Sequence, residues 1–176
     1  MTQSNNPFQQ SARPRLPISL GAGTIVVHDE RVLLVRNRFG VTKGRYLLPA
    51  GRVQVGELPD VAAARETFEE THLHVSVDGL LGVRLWVMEH GEHNYFFMFR
   101  ATLHSPVSDL RPNLEEVDDA RFFSREEMIA LGSDDTWAGA IAVALKGLDP
   151  NASLWPNAES LRDDSARSPD YWRIWL

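Results

Sequence analysis

Three glutamates one helical turn apart form the clearest chemical feature of this sequence. Glu66, Glu69 and Glu70 stand at positions i, i+3 and i+4, so an ideal helix places their carboxylates on one stripe. Carboxylates this close repel one another and need a compensating cation. Hard divalent ions such as Mg²⁺ and Mn²⁺ take oxygen ligands and share them with substrate phosphates. The spacing predicts a metal-assisted site, whereas an isolated Glu-Glu pair on a helix is usually a solvated surface.

The residues around this stripe strengthen the chemical interpretation. Gly51 and Glu57 precede it, and Arg65 is a candidate to balance the local negative charge through Glu57. Each residue type is a small fraction of an average protein. Chance is therefore a poor explanation for six residues at set intervals between positions 51 and 70.

The whole stretch resembles the signature box of the Nudix hydrolases. The matching residues are Gly51, Glu57, Arg65, Glu66, Glu69 and Glu70, with LPAG at the start of the box. The resemblance extends over residues 18–147 and implies an α/β fold, the Nudix α/β/α sandwich with a mixed β-sheet. It also implies hydrolysis of a nucleoside diphosphate linked to another moiety, such as a nucleoside triphosphate or a nucleotide sugar.

The resemblance further implies roles for individual side chains. Glu57 and Arg65 match positions that brace the loop and the helix against each other. The ligands implied for Mg²⁺ or Mn²⁺ are the carbonyl of Gly51 and the carboxylates of Glu66, Glu69 and Glu70. A carboxylate near the attacking water acts as general base. The candidates, beginning with the preferred one, are Glu70, Glu69, Glu116 and Glu115. A solvated loop is the alternative for the last two.

Basic and aromatic residues outside the box are candidates for substrate binding. Arg36, Arg38 and Arg45 lie between a predicted strand and the box, where guanidinium groups could hold phosphates. A solvated basic loop is the alternative. In the strand LGVRLWVME, alternation sends Arg84 and Trp86 to one face. This pair is suited to stacking a nucleobase, although a Trp in a hairpin more often packs in the core.

Alternating apolar runs and turn residues predict the elements that must position these groups. Two hairpins are expected, with turns at Asp29-Glu30 and around His90-Gly91-Glu92. Two hairpins make a purely parallel sheet a poor model, so a mixed α/β domain is expected. The other expected elements are a short strand at 46–48, a helix from Pro59 to about His72, a strand at 120–123, a helix opened by Ser124 with Glu127 three residues later, and a last helix at 137–146.

The helix of the box carries one expected packing face and two departures from the family pattern. Val61, Ala64 and Phe68 lie opposite the acids and are expected to pack against the sheet. Thr67 replaces a usual aliphatic residue, and its hydroxyl can bond back to the preceding helical turn. His72 replaces a glycine, so we expect a left-handed residue there, at a cost of roughly 1 kcal/mol.

Length and composition limit the classes of protein to which the chain can belong. Its 176 residues suit one domain, which we place at 18–147, after a flexible arm at 1–17 and before a C-terminal extension at 148–176. The absence of cysteine excludes disulfides and thiolate metal sites. A net charge of −6 disfavours binding to a nucleic acid duplex. No apolar run approaches the roughly 20 residues that a membrane span requires.

These limits indicate a small molecule as the partner, and the resemblance to the Nudix hydrolases implies that it is a nucleotide substrate. The N-terminus lacks the apolar middle section of a secretory signal, which predicts a cytoplasmic location. The terminal YWRIWL is a candidate homodimer surface or a cover for the domain's own core. A second hypothesis is a sensor that binds a nucleotide on the same fold without hydrolysing it. A third is an interaction domain in which the acids are structural.

Overall fold

An eight-stranded mixed sheet organises the chain in a computed structural model that describes residues 16–152 and 172–175. The elements in chain order are β1 (Ile18–His28), β2 (Arg31–Asn37), β3 (Tyr46–Leu47), β4 (Ala50–Arg52), α1 (Pro59–Thr71), β5 (Val75–Val87), β6 (His93–Leu103), β7 (Val117–Phe123), α2 (Arg125–Ala130), α3 (Ala138–Gly147) and β8 (Trp172–Trp175). The strand order is β3-β2-β1-β6-β5-β8, with β4 paired to β1 and β7 paired to β2. Strands β1 and β6 run parallel.

Both predicted hairpins are present, and each turn has the backbone conformation that a tight reversal needs. Between β1 and β2, Asp29 and Glu30 have φ of 48° and 59°, and two consecutive positive φ values match the twist of an antiparallel ribbon. Between β5 and β6, Gly91 has φ of 85°, a value that glycine adopts without strain. The β5–β6 hairpin brings Arg84 opposite Phe96 in the sheet.

Helices cover both faces of the sheet, as the α/β/α prediction requires. On one face, α1 packs on β1 through a cluster that contains Ala22, Ala62 and Ala63. On the other face, Ile25 of β1 belongs to a larger core cluster with Val143 of α3. Small residues between α1 and β1 let the helix approach the sheet closely, which brings its acids near β4. No helix in the described ranges is long and apolar enough to cross a membrane.

The packing face predicted for α1 is wrong. Val61 and Phe68 are 53% and 39% exposed, whereas Ala62, Ala63 and Thr67 are fully buried. Close contact with β1 favours this face because only small side chains fit between the helix and the strand. Burying the larger apolar residues instead would rotate the carboxylates away from β4.

Thr67 makes the bond to the preceding turn that the sequence suggested. Its hydroxyl donates to the Ala63 carbonyl at 2.8 Å and lies 2.6 Å from the Thr24 hydroxyl of β1. The second departure from the pattern also behaves as expected, because His72 ends α1 in the left-handed conformation with φ of 60°. Its amide closes the helix by donating to the Phe68 carbonyl at 2.8 Å.

The remaining predicted elements are also present. Ser124 and Glu127 form the reciprocal hydrogen bonds of a capping box at the start of α2. The strand predicted at 120–123 begins earlier, at Val117, and the last helix lies within one residue of its predicted bounds. Most of the arm predicted at 1–17 and of the extension predicted at 148–176 lies outside the described residues.

Candidate active site

Arg65 and Glu57 form the ion pair that the sequence suggested, and it ties α1 to the loop before it. Arg65 Nε and Nη2 donate to the two Glu57 oxygens at 2.8 and 3.0 Å. The amide of Gln54 donates to Glu57 Oε2 at 2.9 Å, and Arg65 Nη2 also donates to the Arg52 carbonyl at 3.0 Å. The hydrogen bonds from Arg65 and Gln54 lower the pKa of Glu57 to about 2. The two parallel hydrogen bonds from Arg65 to Glu57 form a forked ion pair, the Arg65–Glu57 fork. This fork holds the segment that follows β4 in place.

The same guanidinium also reaches two residues of the acidic stripe. Arg65 Nη1 donates to Glu66 Oε1 at 2.8 Å and to Glu69 Oε2 at 2.7 Å. The hydrogen bonds that Arg65 donates to Glu57, Glu66 and Glu69 raise its pKa. One arginine therefore neutralises part of the repulsion between these carboxylates.

Gly51 of β4 provides the space into which Glu66 fits. A Cβ at position 51 would lie 2.1 Å from the carboxylate carbon of Glu66, a distance that atoms never adopt without displacement. A residue with a side chain at this position would push the carboxylate away. The glycine of the box therefore allows a carboxylate of α1 to lie against the backbone of β4.

Glu70 is the most deeply buried carboxylate of the stripe. It is 6% exposed, and its Oε2 accepts a hydrogen bond from the Ala50 amide at 2.9 Å. Burial raises its pKa well above the ordinary value, against the lowering effect of the Ala50 amide, and the negative charges of Glu66, Glu116 and Glu69 raise it further. Burial likewise raises the pKa of Glu66.

The loop before β7 brings one of its two candidate acids towards this cluster. The Asn113 amide donates to the Glu70 carbonyl at 2.9 Å, which joins the loop to the end of α1. The charge of Glu116 contributes to the raised pKa of both Glu66 and Glu70. Glu115 is exposed, and its amide donates to the Asn113 side chain at 3.1 Å. Of the two loop candidates, Glu116 is the one whose charge acts on the buried acids.

The donor set fits a hard divalent cation, although the side chains do not already converge as a ligand shell. Within the described ranges, no three acidic or histidine side chains have a ready metal-binding arrangement, and Arg65 engages two of the acids. The donors are carboxylate oxygens and a backbone carbonyl, the ligands that Mg²⁺ and Mn²⁺ prefer. The residues that would hold the ion are Gly51, Glu66, Glu69 and Glu70.

A second group of predicted residues lies on the opposite face of the sheet from α1. The Arg84 guanidinium carbon lies 5.8 Å from the ring centroid of Trp86, 4.9 Å from that of Phe96 and 5.2 Å from that of Trp137. Arg84 Nη2 donates to the Asn94 side chain at 2.5 Å, while its buried Nε has no hydrogen-bond partner within the described residues. Burial lowers the pKa of Arg84 to about 10. We call Arg84 and these three rings the arginine box.

Gly21 of β1 connects the arginine box to the backbone of β4. A Cβ placed on Gly21 would lie 2.8 Å from the Phe96 ring and 3.3 Å from the Gly51 carbonyl oxygen. The ring and the carbonyl therefore flank the same point on β1. The arginine box and the backbone of β4 therefore lie close to each other at Gly21.

The other predicted substrate-binding arginines occupy different surroundings. The Arg36 guanidinium carbon lies 5.8 Å from the Tyr46 ring centroid, and in the described part of the chain its buried Nε also has no hydrogen-bond partner. Arg38 is exposed and donates to the Leu114 carbonyl. Arg45 is half-buried, and its carbonyl accepts from the Asn37 amide at 3.0 Å. Arg36 thus resembles Arg84 in having an aromatic neighbour and an unused donor.

The chain is similar in sequence to known proteins. A family model described as the NUDIX domain matches residues 18–143. The chain belongs to the NUDIX family. A MutT-like protein of Streptomyces ambofaciens is 37% identical over 75 residues, which are 43% of this chain and 47% of that protein. An ADP-ribose pyrophosphatase of Methanocaldococcus jannaschii is 41% identical over 59 residues, which are 34% of this chain and 35% of that protein.

Structural similarity extends further along this NUDIX chain than the sequence matches do. A NUDIX hydrolase from Nitrosomonas europaea superimposes with a TM-score of 0.66 at 21% identity and covers 85% of this chain and 99% of its own. At that identity the likeness establishes the fold alone. The chain spans about half the length, or less, of the two curated relatives named above.

Three residues on the face of the sheet opposite α1 were missing from the sequence prediction. Phe96 could have been found from the hairpin register, because it lies directly opposite Arg84. Trp137 stands just before α3, far from Arg84 in the chain, so no local pattern indicates the contact. Asp119 accepts a hydrogen bond from the Tyr46 hydroxyl, and no spacing rule connects strands β3 and β7.

Proposed function

We propose that this NUDIX domain is a divalent-metal-dependent hydrolase that cleaves a phosphoanhydride bond in a nucleoside diphosphate linked to another moiety. The products are a nucleoside monophosphate and a second phosphorylated compound. The observation that carries the proposal is the placement of Glu66 and Glu70 against the backbone of β4. Nearly buried carboxylates whose pKa is raised by burial and by neighbouring negative charges are costly, and a divalent ion with a polyphosphate would compensate them.

The reaction requires charge neutralisation, because anionic oxygens repel a nucleophile that approaches phosphorus. A bound Mg²⁺ or Mn²⁺ ion supplies this neutralisation, lowers the pKa of a bound water and aligns the attacking and leaving oxygens. Glu66, Glu69, Glu70 and the Gly51 carbonyl would hold the ion. The Arg65–Glu57 fork keeps α1 and the preceding loop in fixed positions, and fixed ligands reduce the reorganisation that the reaction needs.

Glu70 is the preferred general base, with Glu116 as the alternative from the loop. The Ala50 amide orients the Glu70 carboxylate at 2.9 Å, and an oriented carboxylate next to the phosphates can accept the proton of the attacking water. Glu116 acts on the same acids from an exposed position. A base on a loop would become oriented only when substrate binds.

The substrate candidates share a nucleoside diphosphate and differ in the attached group. A nucleoside triphosphate and a nucleotide sugar follow from the family resemblance. ADP-ribose enters the comparison because the relative from Methanocaldococcus jannaschii carries the name ADP-ribose pyrophosphatase. Arg36, Arg38 and Arg45 are the proposed phosphate contacts, and Arg84 and Trp86 are proposed to contact the base.

The test is nucleotide release by the full chain with Mg²⁺ or Mn²⁺ across nucleoside triphosphates, nucleotide sugars, dinucleoside polyphosphates and ADP-ribose. Wild type is compared with Glu70→Gln, and Glu115→Gln serves as the matched control. We expect one substrate class to be hydrolysed only with metal, with the rate lost in Glu70→Gln and kept in Glu115→Gln. Equal rates in wild type and Glu70→Gln would contradict the assignment of this site.

One observation favours a second candidate function, a sensor that binds nucleotide without hydrolysing it. Arg65 already pairs with both Glu66 and Glu69, so part of the acidic charge is balanced within the chain. In a sensor, Arg65 would keep these pairs while nucleotide binds. Nucleotide binding without metal-dependent turnover of any tested class would support this function over hydrolysis.

A further inference from the structure

Arg84 is a buried cation that lacks a carboxylate partner among the described residues. Among the described residues, its guanidinium contacts three aromatic rings and donates to one amide oxygen, that of Asn94. Asn94 is itself held by a hydrogen bond from its Nδ2 to the Ser19 hydroxyl at 3.0 Å. A guanidinium has five N–H donors, and the Nε of Arg84 has no acceptor among the described residues. The interior thus leaves donors of Arg84 unused.

A purely structural role explains this arrangement poorly. Cation–π contacts stabilise a guanidinium above a ring face, but they do not satisfy N–H donors that point along its edge. An apolar side chain of similar volume would fill a box of aromatic rings without burying a charge. The unused donors therefore indicate a ligand that brings hydrogen-bond acceptors to this place.

The surroundings of Arg84 indicate which acceptors the ligand brings. Flat rings of Trp86, Phe96 and Trp137 suit a planar heterocycle, which stacks on them. Several convergent cations would bind a phosphate more favourably than one. Within the described residues, Arg84 is the one cation in contact with these rings. A guanidinium edge matches two neighbouring acceptors on a base, such as the O6 and N7 atoms of an oxopurine.

The location of the arginine box fits the same ligand. Phe96 lies beside Gly21, and the Gly51 carbonyl flanks the same glycine. A nucleotide whose diphosphate lies beside the Gly51 carbonyl would have its base close to Phe96 and Arg84.

We propose that Arg84 determines base specificity by donating hydrogen bonds to the oxo edge of the nucleobase, so that the protein selects oxo-bases over their amino counterparts. The inference rests on the proposed nucleotide substrate and deepens it by naming the base. An amino group at the same position presents donors to donors, which repel and leave the guanidinium unsatisfied. Lysine at position 84 would keep the charge but lose the planar fork.

The experiment uses two pairs of nucleotides that differ mainly at the edge in question. Inosine monophosphate and AMP differ by oxo against amino at position 6 of a purine, and UMP and CMP differ in the same way at position 4 of a pyrimidine. Binding to the full chain is measured by calorimetry with Mg²⁺ present, because a monophosphate has no phosphoanhydride bond and turnover does not enter. The variants are Arg84→Lys and, as a control, Arg125→Lys, which alters an exposed arginine at the start of α2.

We expect wild type to bind the oxo member of each pair on the order of 10- to 100-fold more tightly. Arg84→Lys should reduce that ratio to within about 3-fold of unity because the fork is lost, and Arg125→Lys should keep it. Equal binding of the two members by wild type would overturn the proposal whatever the variants do. An unchanged ratio in a folded Arg84→Lys protein would also overturn it.

A separate turnover assay with Mg²⁺ distinguishes failure of this inference from failure of the proposed function. Selection for oxo-bases without turnover would support the role of Arg84 and contradict the hydrolase. Metal-dependent turnover with equal binding within each pair would support the hydrolase and overturn the role of Arg84. The ratio within a pair is informative because a merely structural arginine would change the binding of both members alike.

Discussion

At the scale of single residues, the site depends on a glycine that makes room for a carboxylate. Gly51→Ala should reduce kcat/KM by about 10²-fold, because a displacement of the Glu66 carboxylate of about 1 Å costs that much. The measurement is the steady-state rate on the substrate found with wild type. Gly79→Ala is the matched control, since a Cβ there meets no atom within 4 Å. A fully active Gly51→Ala protein would contradict the close contact between Glu66 and β4.

Another prediction at the residue scale concerns the pH dependence of stability. Arg65 lowers the pKa of Glu57 from 4.5 to about 2 in the folded protein, so the unfolded chain takes up a proton first as pH falls. The stabilisation from Glu57 is therefore present above pH 4.5 and is lost as pH falls towards about 2. The difference in free energy of unfolding between wild type and Glu57→Gln should narrow across this range.

Denaturant titrations at several pH values test this prediction. Val55→Ala is a suitable control, because Val55 is fully exposed in the same loop and carries no ionisable group. The difference in free energy of unfolding between Val55→Ala and wild type should stay constant with pH. If the difference in free energy of unfolding between Glu57→Gln and wild type is also constant with pH, the ionised carboxylate of Glu57 does not stabilise the folded protein.

At the scale of elements, a buried pair of hydroxyls joins α1 to β1. Thr67→Val removes one partner and leaves the Thr24 hydroxyl unsatisfied in the interior, which should cost about 1–3 kcal/mol of unfolding free energy. The double variant Thr24→Val with Thr67→Val leaves no orphaned hydroxyl, so it should recover part of that loss. Denaturant unfolding of the single and double variants is the measurement. Strictly additive losses would contradict the coupling between these elements.

At the scale of the whole molecule, the acid cluster should link metal binding to stability. A divalent ion that binds only the folded protein raises the free energy of unfolding by RT ln(1 + [L]/Kd), or about 2.7 kcal/mol at 100 times Kd. Thermal unfolding with and without Mg²⁺ or Mn²⁺ measures this effect. Glu66→Gln should abolish the shift, and Glu115→Gln should keep it. A melting temperature that is insensitive to metal would contradict the metal site.

Without metal, the buried carboxylate of Glu70 should lower the free energy of unfolding instead of raising it. Because burial raises the pKa of Glu70 in the folded protein, its ionised form destabilises the fold above the ordinary pKa of a glutamate. Glu70→Gln should therefore be more stable than wild type at pH 7 with metal chelated. This gain should vanish at acid pH, where the carboxyl is protonated in both states. A destabilised Glu70→Gln protein under these conditions would contradict the account.

The features that the sequence determined by itself are those that depend on neighbours in the chain. Helical spacing placed Glu66, Glu69 and Glu70 on one stripe, turn residues defined both hairpins, and the capping box marked the start of α2. Each of these follows from backbone geometry over a few residues.

Tertiary structure decided the features that join distant residues. The face on which α1 packs was predicted wrongly from its larger apolar side chains, because the small residues of β1 admit only alanine and threonine. The insertion of Glu66 beside Gly51, the hydrogen bond from Ala50 to Glu70 and the contact of Trp137 with Arg84 likewise come from separate elements. The physical reason is that a local pattern specifies which side chains share a face, whereas close packing against another element specifies what that face meets.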